Sequence, residues 1–194
     1  ELSPVPDPAR AYLPFDAAAS GHVVGEGGAL FVLESDAAAR ARDARVYGAF
    51  TGYAATFDGP GTPRLQDAAR LALDDAGLRP EDIDVVYADA AGARAADRAE
   101  AQALAALFGP RRVPVTAPKS MTGRLLAGGA SLDVAAALLS LRDQVIPPTT
   151  GTAEPAADCP VDLVTAPRER PVRHTLVLAR GRGGFNSAAV LSAV

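Results

Sequence analysis

The stretch PKSMTGRLLAGG, residues 118–129, brings together residue types that take part in acyl-transfer chemistry. Lys119 is the only lysine among nineteen basic residues, so either this position needs a compact ammonium or one lysine remains by chance on a solvated face. Arg124 follows in the same stretch. Acyl transfer would use a histidine here, because its pKa lies near neutrality, whereas an arginine never releases its proton. The stretch therefore resembles an active site with one unsuitable residue.

The other candidate nucleophiles and bases form no catalytic motif. Neither His22 nor His174 belongs to a pattern that suggests a triad, although spacing alone does not exclude one. Cys159 lies in a Pro-flanked loop without a basic neighbour, so an inert thiol fits better than a nucleophile. One cysteine and two distant histidines give no metal-ligand spacing, so we expect no metal. The GEGG and GRGG stretches lack the full spacing of phosphate-binding motifs and predict tight turns.

Composition limits the class of protein. The chain has 194 residues, of which 48% are hydrophobic and 22% charged, which is typical of one globular domain with a large core. The net charge is -4 and the arginines are scattered, so nucleic acid is not an expected partner. We find no long apolar run and no leader pattern, so we expect no membrane association and a cytoplasmic location.

The elements that must position these residues alternate along the chain. Apolar periodicity, acidic caps and glycine stops predict helices, and β-branched runs predict strands. The helix predicted to begin at Ser120 is apolar almost all round after Arg124, so we expect it to be buried between sheets. Alternating strands and helices predict a layered α/β domain. The predicted strands lie within 21–35, 45–56, 83–88, 113–118 and a hairpin in 173–194, and the predicted helices within 36–44, 64–78, 94–109 and 120–144.

Four stretches together carry a family resemblance over nearly the whole chain. They are PFDAAASGHVVGEGGALFVLE, LALDDAGLRPEDIDVVYADAAG with DRAEAQAL, VTAPKSMTGRLLAGGASLDVAAALLSLRDQVIPPT, and RGRGGFNSAAVL. Their order and spacing resemble those of β-ketoacyl synthases. The resemblance implies an α/β, thiolase-like fold, with the C-terminal βαβαβαββ half plus the last strand of the N-terminal half. Residues 1–44 would then end the N-terminal half with a loop, a strand and a helix, and residues 45–194 would form the C-terminal domain.

The same resemblance assigns roles to six positions. Asp89 and Arg124 stand where the family has its two catalytic histidines, so we expect them to form an ion pair in a degenerate active site without catalytic residues. The family's acidic helix residue and lysine correspond to Glu100 and Lys119, for which we expect a second, supporting ion pair. The family's closing glycine loop corresponds to GRGGFN, altered at Arg182 and Phe185.

Because both histidines are replaced, the sequence resembles the chain length factors, the non-catalytic ketosynthase-like subunits of type II aromatic polyketide synthases. This implies an active ketosynthase as heterodimer partner, the N-terminal half of the same subunit as cover for exposed apolar surface, and a role in shaping the elongation cavity. No cofactor would bind directly, because the substrate is carried on the phosphopantetheine of an acyl carrier protein. One alternative is an active malonyl-thioester decarboxylase or acyltransferase with its nucleophile in the N-terminal half and Arg124 as an anion clamp. Another is a purely structural half-domain.

Overall fold

A six-stranded sheet forms the centre of the computed structural model, which describes residues 1–194. The strands lie in the order β1-β8-β7-β2-β3-β5. Strands β2, β3, β5 and β7 are mutually parallel where they pair, whereas β8 runs antiparallel to both β1 and β7. A small antiparallel sheet of β4 and β6 lies apart. The strand bounds are β1 Ala49–Phe57, β2 Val85–Tyr87, β3 Pro114–Thr116, β4 Val145–Ile146, β5 Asp162–Leu163, β6 Arg168–Glu169, β7 His174–Arg180 and β8 Phe185–Ser192.

Helices cover both faces of this sheet. The α-helices are α1 Asp36–Ala41, α2 Leu65–Ala76, α3 Arg94–Phe108 and α4 Gly129–Asp143, and short 3₁₀ turns occupy Pro80–Asp82, Pro118–Ser120 and Leu126–Gly128. The Ser35 hydroxyl caps α1 by accepting from the N–H of Ala38, and Gly77 ends α2 in the left-handed conformation that glycine adopts without strain. None of these helices is long and apolar enough to cross a membrane.

The alternation of side chains in β2 divides the core into two layers. Val86 packs with residues of α2 and α3, whereas Val85 and Tyr87 pack with residues of α4. Successive side chains of a strand point to opposite faces, so α2 and α3 lie on one face of the sheet and α4 on the other. The order from β1 to β8, without the three two-residue strands, is βαβαβαββ, as expected.

Two sequence predictions are wrong in detail. The strand predicted within 21–35 does not form, and Leu30, Val32 and Leu33 of this segment are exposed. A strand needs a neighbouring strand to pair its backbone groups, and this chain offers none at that place. The helix predicted from Ser120 begins at Gly129, because residues 118–128 form two 3₁₀ turns with a loop between them.

Helix α4 is also less buried than predicted. Its buried positions include Val134, Ala137 and Leu141, which face the sheet, whereas Leu139 is 43% exposed. The helix therefore packs on one side only, although its sequence is apolar on both.

Candidate functional site

Two loops bring Asp89 and Arg124 together at the end of the central strands. Asp89 follows β2, and Arg124 lies between two 3₁₀ turns. The N–H of Arg124 donates to the Val23 carbonyl at 2.8 Å, and the N–H of Gly25 donates to the Arg124 carbonyl at 3.0 Å. A side chain at Gly25 would clash with the backbone, because its Cβ would lie 1.9 Å from the Thr122 carbonyl oxygen. Glycine at position 25 therefore allows the close approach that holds Arg124 in place.

Asp89 and Arg124 form a bidentate ion pair. Arg124 Nη2 lies 2.8 Å from Asp89 Oδ1, and Arg124 Nη1 lies 3.3 Å from Oδ2. The side chains are 15% exposed for Arg124 and 5% for Asp89. Burial alone would raise the pKa of Asp89, but Arg124, Lys119 and Arg180 outweigh it and hold that pKa below its ordinary value. The predicted contact is present, and both groups are charged.

A second arginine, Arg180, also contacts Asp89, and this contact was not predicted from the sequence. Arg180 Nε donates to Asp89 Oδ2 at 3.2 Å, and its backbone N–H donates to Oδ1 at 3.1 Å. The sequence carries no signal for this contact, because only the folded sheet shows that β7 and β2 are neighbouring parallel strands whose carboxyl ends meet at one edge. Arg180 is the last residue of β7 and Asp89 lies two residues beyond the end of β2.

Glu100 and Lys119 do not form the predicted ion pair. Glu100, fully buried on α3, accepts from the N–H groups of Asp89 and Ala90 at 2.8 and 2.9 Å and from Arg180 Nη2 at 3.1 Å. It thus fixes the turn that carries Asp89.

Lys119 has a different set of partners. Its Nζ lies 2.6 Å from Asp133 Oδ2 on α4 and donates to the carbonyls of Ala88 and Asp89 at 2.7 and 3.2 Å. Asp133 and Glu100 lie on helices that cover opposite faces of the sheet. The prediction was wrong because the sequence does not show which helix faces Lys119.

Asp97 is a further buried carboxylate that sequence reasoning missed. It accepts from the N–H groups of Phe15 at 2.9 Å and Gly92 at 3.0 Å. Burial raises the pKa of Asp97 to about 7, and Glu100 adds to the effect, whereas the two N–H donors oppose it. Asp97 thereby anchors the irregular segment around Phe15 to the turn after β2.

A cavity of about 680 Å³ opens beside the ion pairs. Asp89, Arg124 and Arg180 line it together with Arg182 and Phe185 of the altered glycine loop. Arg182 is exposed, and the Phe185 ring stacks edge-on against Phe57 with centroids 5.0 Å apart. The two loop positions predicted from the resemblance thus lie at the same cavity as the charge cluster.

The cavity also contains one imidazole. His22 lines it, and its Nδ1 lies 3.3 Å from the Ala91 carbonyl, which can only accept, so Nδ1 carries the proton. Burial and Arg124 lower the pKa of His22, so the ring is neutral at pH 7. Cys159 is buried away from this cavity, and burial raises the pKa of its thiol to about 11, against a role as nucleophile.

The comparisons with known proteins identify the family. The model of the β-ketoacyl synthase C-terminal domain matches residues 45–153. The chain belongs to the β-ketoacyl synthase family. The predicted thiolase-like α/β fold is confirmed, except that the last strand of the N-terminal half is not formed in this chain.

Individual relatives refine this result. The chain is 62% identical to the tetracenomycin polyketide synthase ketoacyl synthase beta subunit of Streptomyces glaucescens, over 98% of this chain and 48% of that protein. The ishigamide ketosynthase/chain length factor superposes with a TM-score of 0.90 at 32% identity, over 99% of this chain and 48% of that one. A type II polyketide synthase acyl-carrier protein in complex with its ketosynthase bound to the hexaketide gives a TM-score of 0.91 at 27% identity, over 98% and 49%.

These matches confirm the predicted resemblance to ketosynthase beta subunits. The chain spans about half the length of the curated relatives it matches.

Proposed function

We propose that this chain is part of a non-catalytic, ketosynthase-like chain length factor subunit. The observation that supports the proposal most strongly is the ion pair of Asp89 and Arg124, at the two positions where the resemblance places catalytic histidines. The similarity to a ketoacyl synthase beta subunit supports the same assignment.

The chemistry of the pair argues against condensation. Decarboxylation of a malonyl thioester needs neutral donors near the thioester oxygen and a group that exchanges protons near neutrality. Asp89 is held ionised, so it only accepts, and its two oxygens already accept four hydrogen bonds. Arg124 does not release its proton, and both of its terminal nitrogens already donate to Asp89. The pair therefore supplies no group that exchanges a proton near neutrality, as condensation requires.

The proposed partners follow from the relatives. One solved relative is a ketosynthase/chain length factor, and another is a complex of an acyl-carrier protein with its ketosynthase. We propose that this subunit likewise pairs with an active ketosynthase and helps shape the cavity in which the polyketide grows. The growing chain would be carried on the phosphopantetheine of an acyl carrier protein, and the assembly would act in the cytoplasm.

An exposed apolar face supports the assignment of residues 1–44 to an N-terminal half. Leu30, Val32 and Leu33 line a cavity of about 730 Å³ together with Tyr47 and Leu139. These side chains are all more than one third exposed, which is costly for a folded protein unless another element covers them. We propose that the N-terminal half of the same subunit packs here, pairs with residues 25–35 as a strand, and buries the outer side of α4.

A loading experiment tests the proposed function. The intact protein that carries this chain is purified together with its ketosynthase and exposed to isotopically labelled malonyl-charged acyl carrier protein. We expect label on the ketosynthase alone, and a ketosynthase variant without its nucleophile serves as the control. Covalent label on the subunit that carries this chain would support the decarboxylase or acyltransferase alternative and refute the proposal.

A further inference from the structure

Each oxygen of the Asp89 carboxylate accepts two hydrogen bonds. Oδ1 accepts from Arg124 Nη2 at 2.8 Å and from the backbone N–H of Arg180 at 3.1 Å. Oδ2 accepts from Arg124 Nη1 at 3.3 Å and from Arg180 Nε at 3.2 Å. Two guanidinium groups and one backbone N–H therefore converge on one carboxylate, a geometry that proteins use for the recognition of bound acids.

Groups other than the Asp89 carboxylate hold both arginines in place. Arg180 Nη2 donates to Glu100 at 3.1 Å and Nη1 donates to the Ala96 carbonyl at 3.2 Å. Arg124 Nη1 donates to the Asp89 main-chain carbonyl at 2.7 Å, and its own backbone is paired with residues 23 and 25. These contacts remain when the side chain of residue 89 is shortened, so the donors should keep their positions.

Without the Asp89 carboxylate, the charged groups around the two arginines would carry a net charge of one positive unit. Glu100 neutralises one guanidinium, and Lys119 is paired with Asp133, so without the Asp89 carboxylate one positive charge is uncompensated. The arginine side chains are 15% and 19% exposed and both line the 680 Å³ cavity, which gives a small ligand a path to them.

We propose that Arg124, Arg180 and the backbone N–H of residue 180 form a carboxylate-binding site, which in this protein is occupied by its own Asp89. The ligand class is a small monocarboxylate. The inference rests on the geometry of the donors and does not depend on whether the subunit loads malonyl groups, so either proposal can fail without the other.

Chemical rescue tests the site. Asp89→Ala is prepared in the intact protein that carries this chain, with the chains that accompany it, and its thermal midpoint is followed against sodium formate and sodium acetate, with sodium chloride at equal concentration as reference. We expect the thermal midpoint to rise and then saturate at millimolar formate, because a ligand of three non-hydrogen atoms makes few contacts. At tenfold excess over the dissociation constant the thermal midpoint should rise by about 3 to 6 °C for a domain of 150–250 residues, and by less in the larger intact protein.

Three controls define the result. The unmodified protein and Asp58→Ala should show no difference between formate and chloride, since Asp58 lines the same cavity but contacts no guanidinium. The double variant Asp89→Ala with Arg180→Met should lose the rescue. If Asp89→Ala is not recovered folded, the yield of folded protein during refolding in formate and in chloride provides the same comparison.

Equal effects of formate and chloride in both measurements would overturn the proposal. So would undiminished rescue of the double variant, because the carboxylate would then be acting away from the two arginines.

Discussion

Replacing Lys119 by methionine should destabilise the protein more than any surface substitution, because Lys119 holds three groups at once. Its ammonium contacts Asp133 at 2.6 Å and donates to the carbonyls of Ala88 and Asp89. Lys119→Met removes all three contacts while keeping most of the volume. The Asp133 carboxylate would remain buried without a cation.

The burial of this ion pair determines how much free energy of unfolding Lys119→Met should remove. The side chains of Lys119 and Asp133 are 8% and 3% exposed, so solvent screens neither charge. Removing one member of such a pair lowers the free energy of unfolding by about 3 to 5 kcal/mol, and the loss of the donor to the Ala88 carbonyl lowers it by about 1 kcal/mol more. Removing both members with Lys119→Met and Asp133→Leu should cost less than the sum of the single substitutions, with a coupling of about 2 kcal/mol.

Equilibrium unfolding in urea, followed by circular dichroism on the intact protein, measures these values. The cycle needs wild type, the two single variants and the double variant, and Asp133→Asn provides a milder arm if a single variant does not fold. A parallel cycle combines Lys119→Met with Glu100→Gln, which lies on the other side of the sheet.

The coupling between Lys119 and Asp133 should be the larger of the two. Additive costs for Lys119 and Asp133, or a larger coupling of Lys119 with Glu100, would refute the assignment of the lysine to the α4 side.

Further predictions concern the turns and packing around the site. Asp97 has its pKa raised to about 7 from an ordinary value of 3.8, so its contribution to stability is complete below about pH 4 and is lost as the pH rises through 7. The free energy of unfolding in urea should be about 2 kcal/mol lower at pH 8 than at pH 5.5, and Asp97→Asn should reduce that difference. Ala90 is buried at φ 48°, so Ala90→Val should cost more than about 2 kcal/mol in urea unfolding, whereas Ala90→Gly should stay within about 1 kcal/mol of wild type. Gly52→Ala should cost about 3 kcal/mol by the same measurement, since its Cβ would lie 2.1 Å from the Ala72 carbonyl oxygen, whereas Gly129→Ala meets nothing within 4 Å and should be neutral or stabilising. Equal effects of Gly52→Ala and Gly129→Ala would contradict this packing.

Much of the fold could be predicted from local patterns. Leu65, Ala68 and Ala72 recur on one face, and Gly77 follows, so α2 and its end were predictable from period and stop signal. The meeting of Asp89 with Arg124 was predictable from the resemblance alone, because these positions lie 35 residues apart and no local pattern connects them.

Interactions between elements were decided only by the tertiary structure. The sequence shows acidic residues on both α3 and α4, but only the packing of these helices on opposite faces determines that Lys119 meets Asp133 and that Glu100 meets Arg180. A strand was predicted within 21–35 and none forms there, because backbone pairing needs a neighbouring strand. A residue's type and periodicity determine its own element, whereas the partner of a buried charge depends on which elements the folded chain brings beside it.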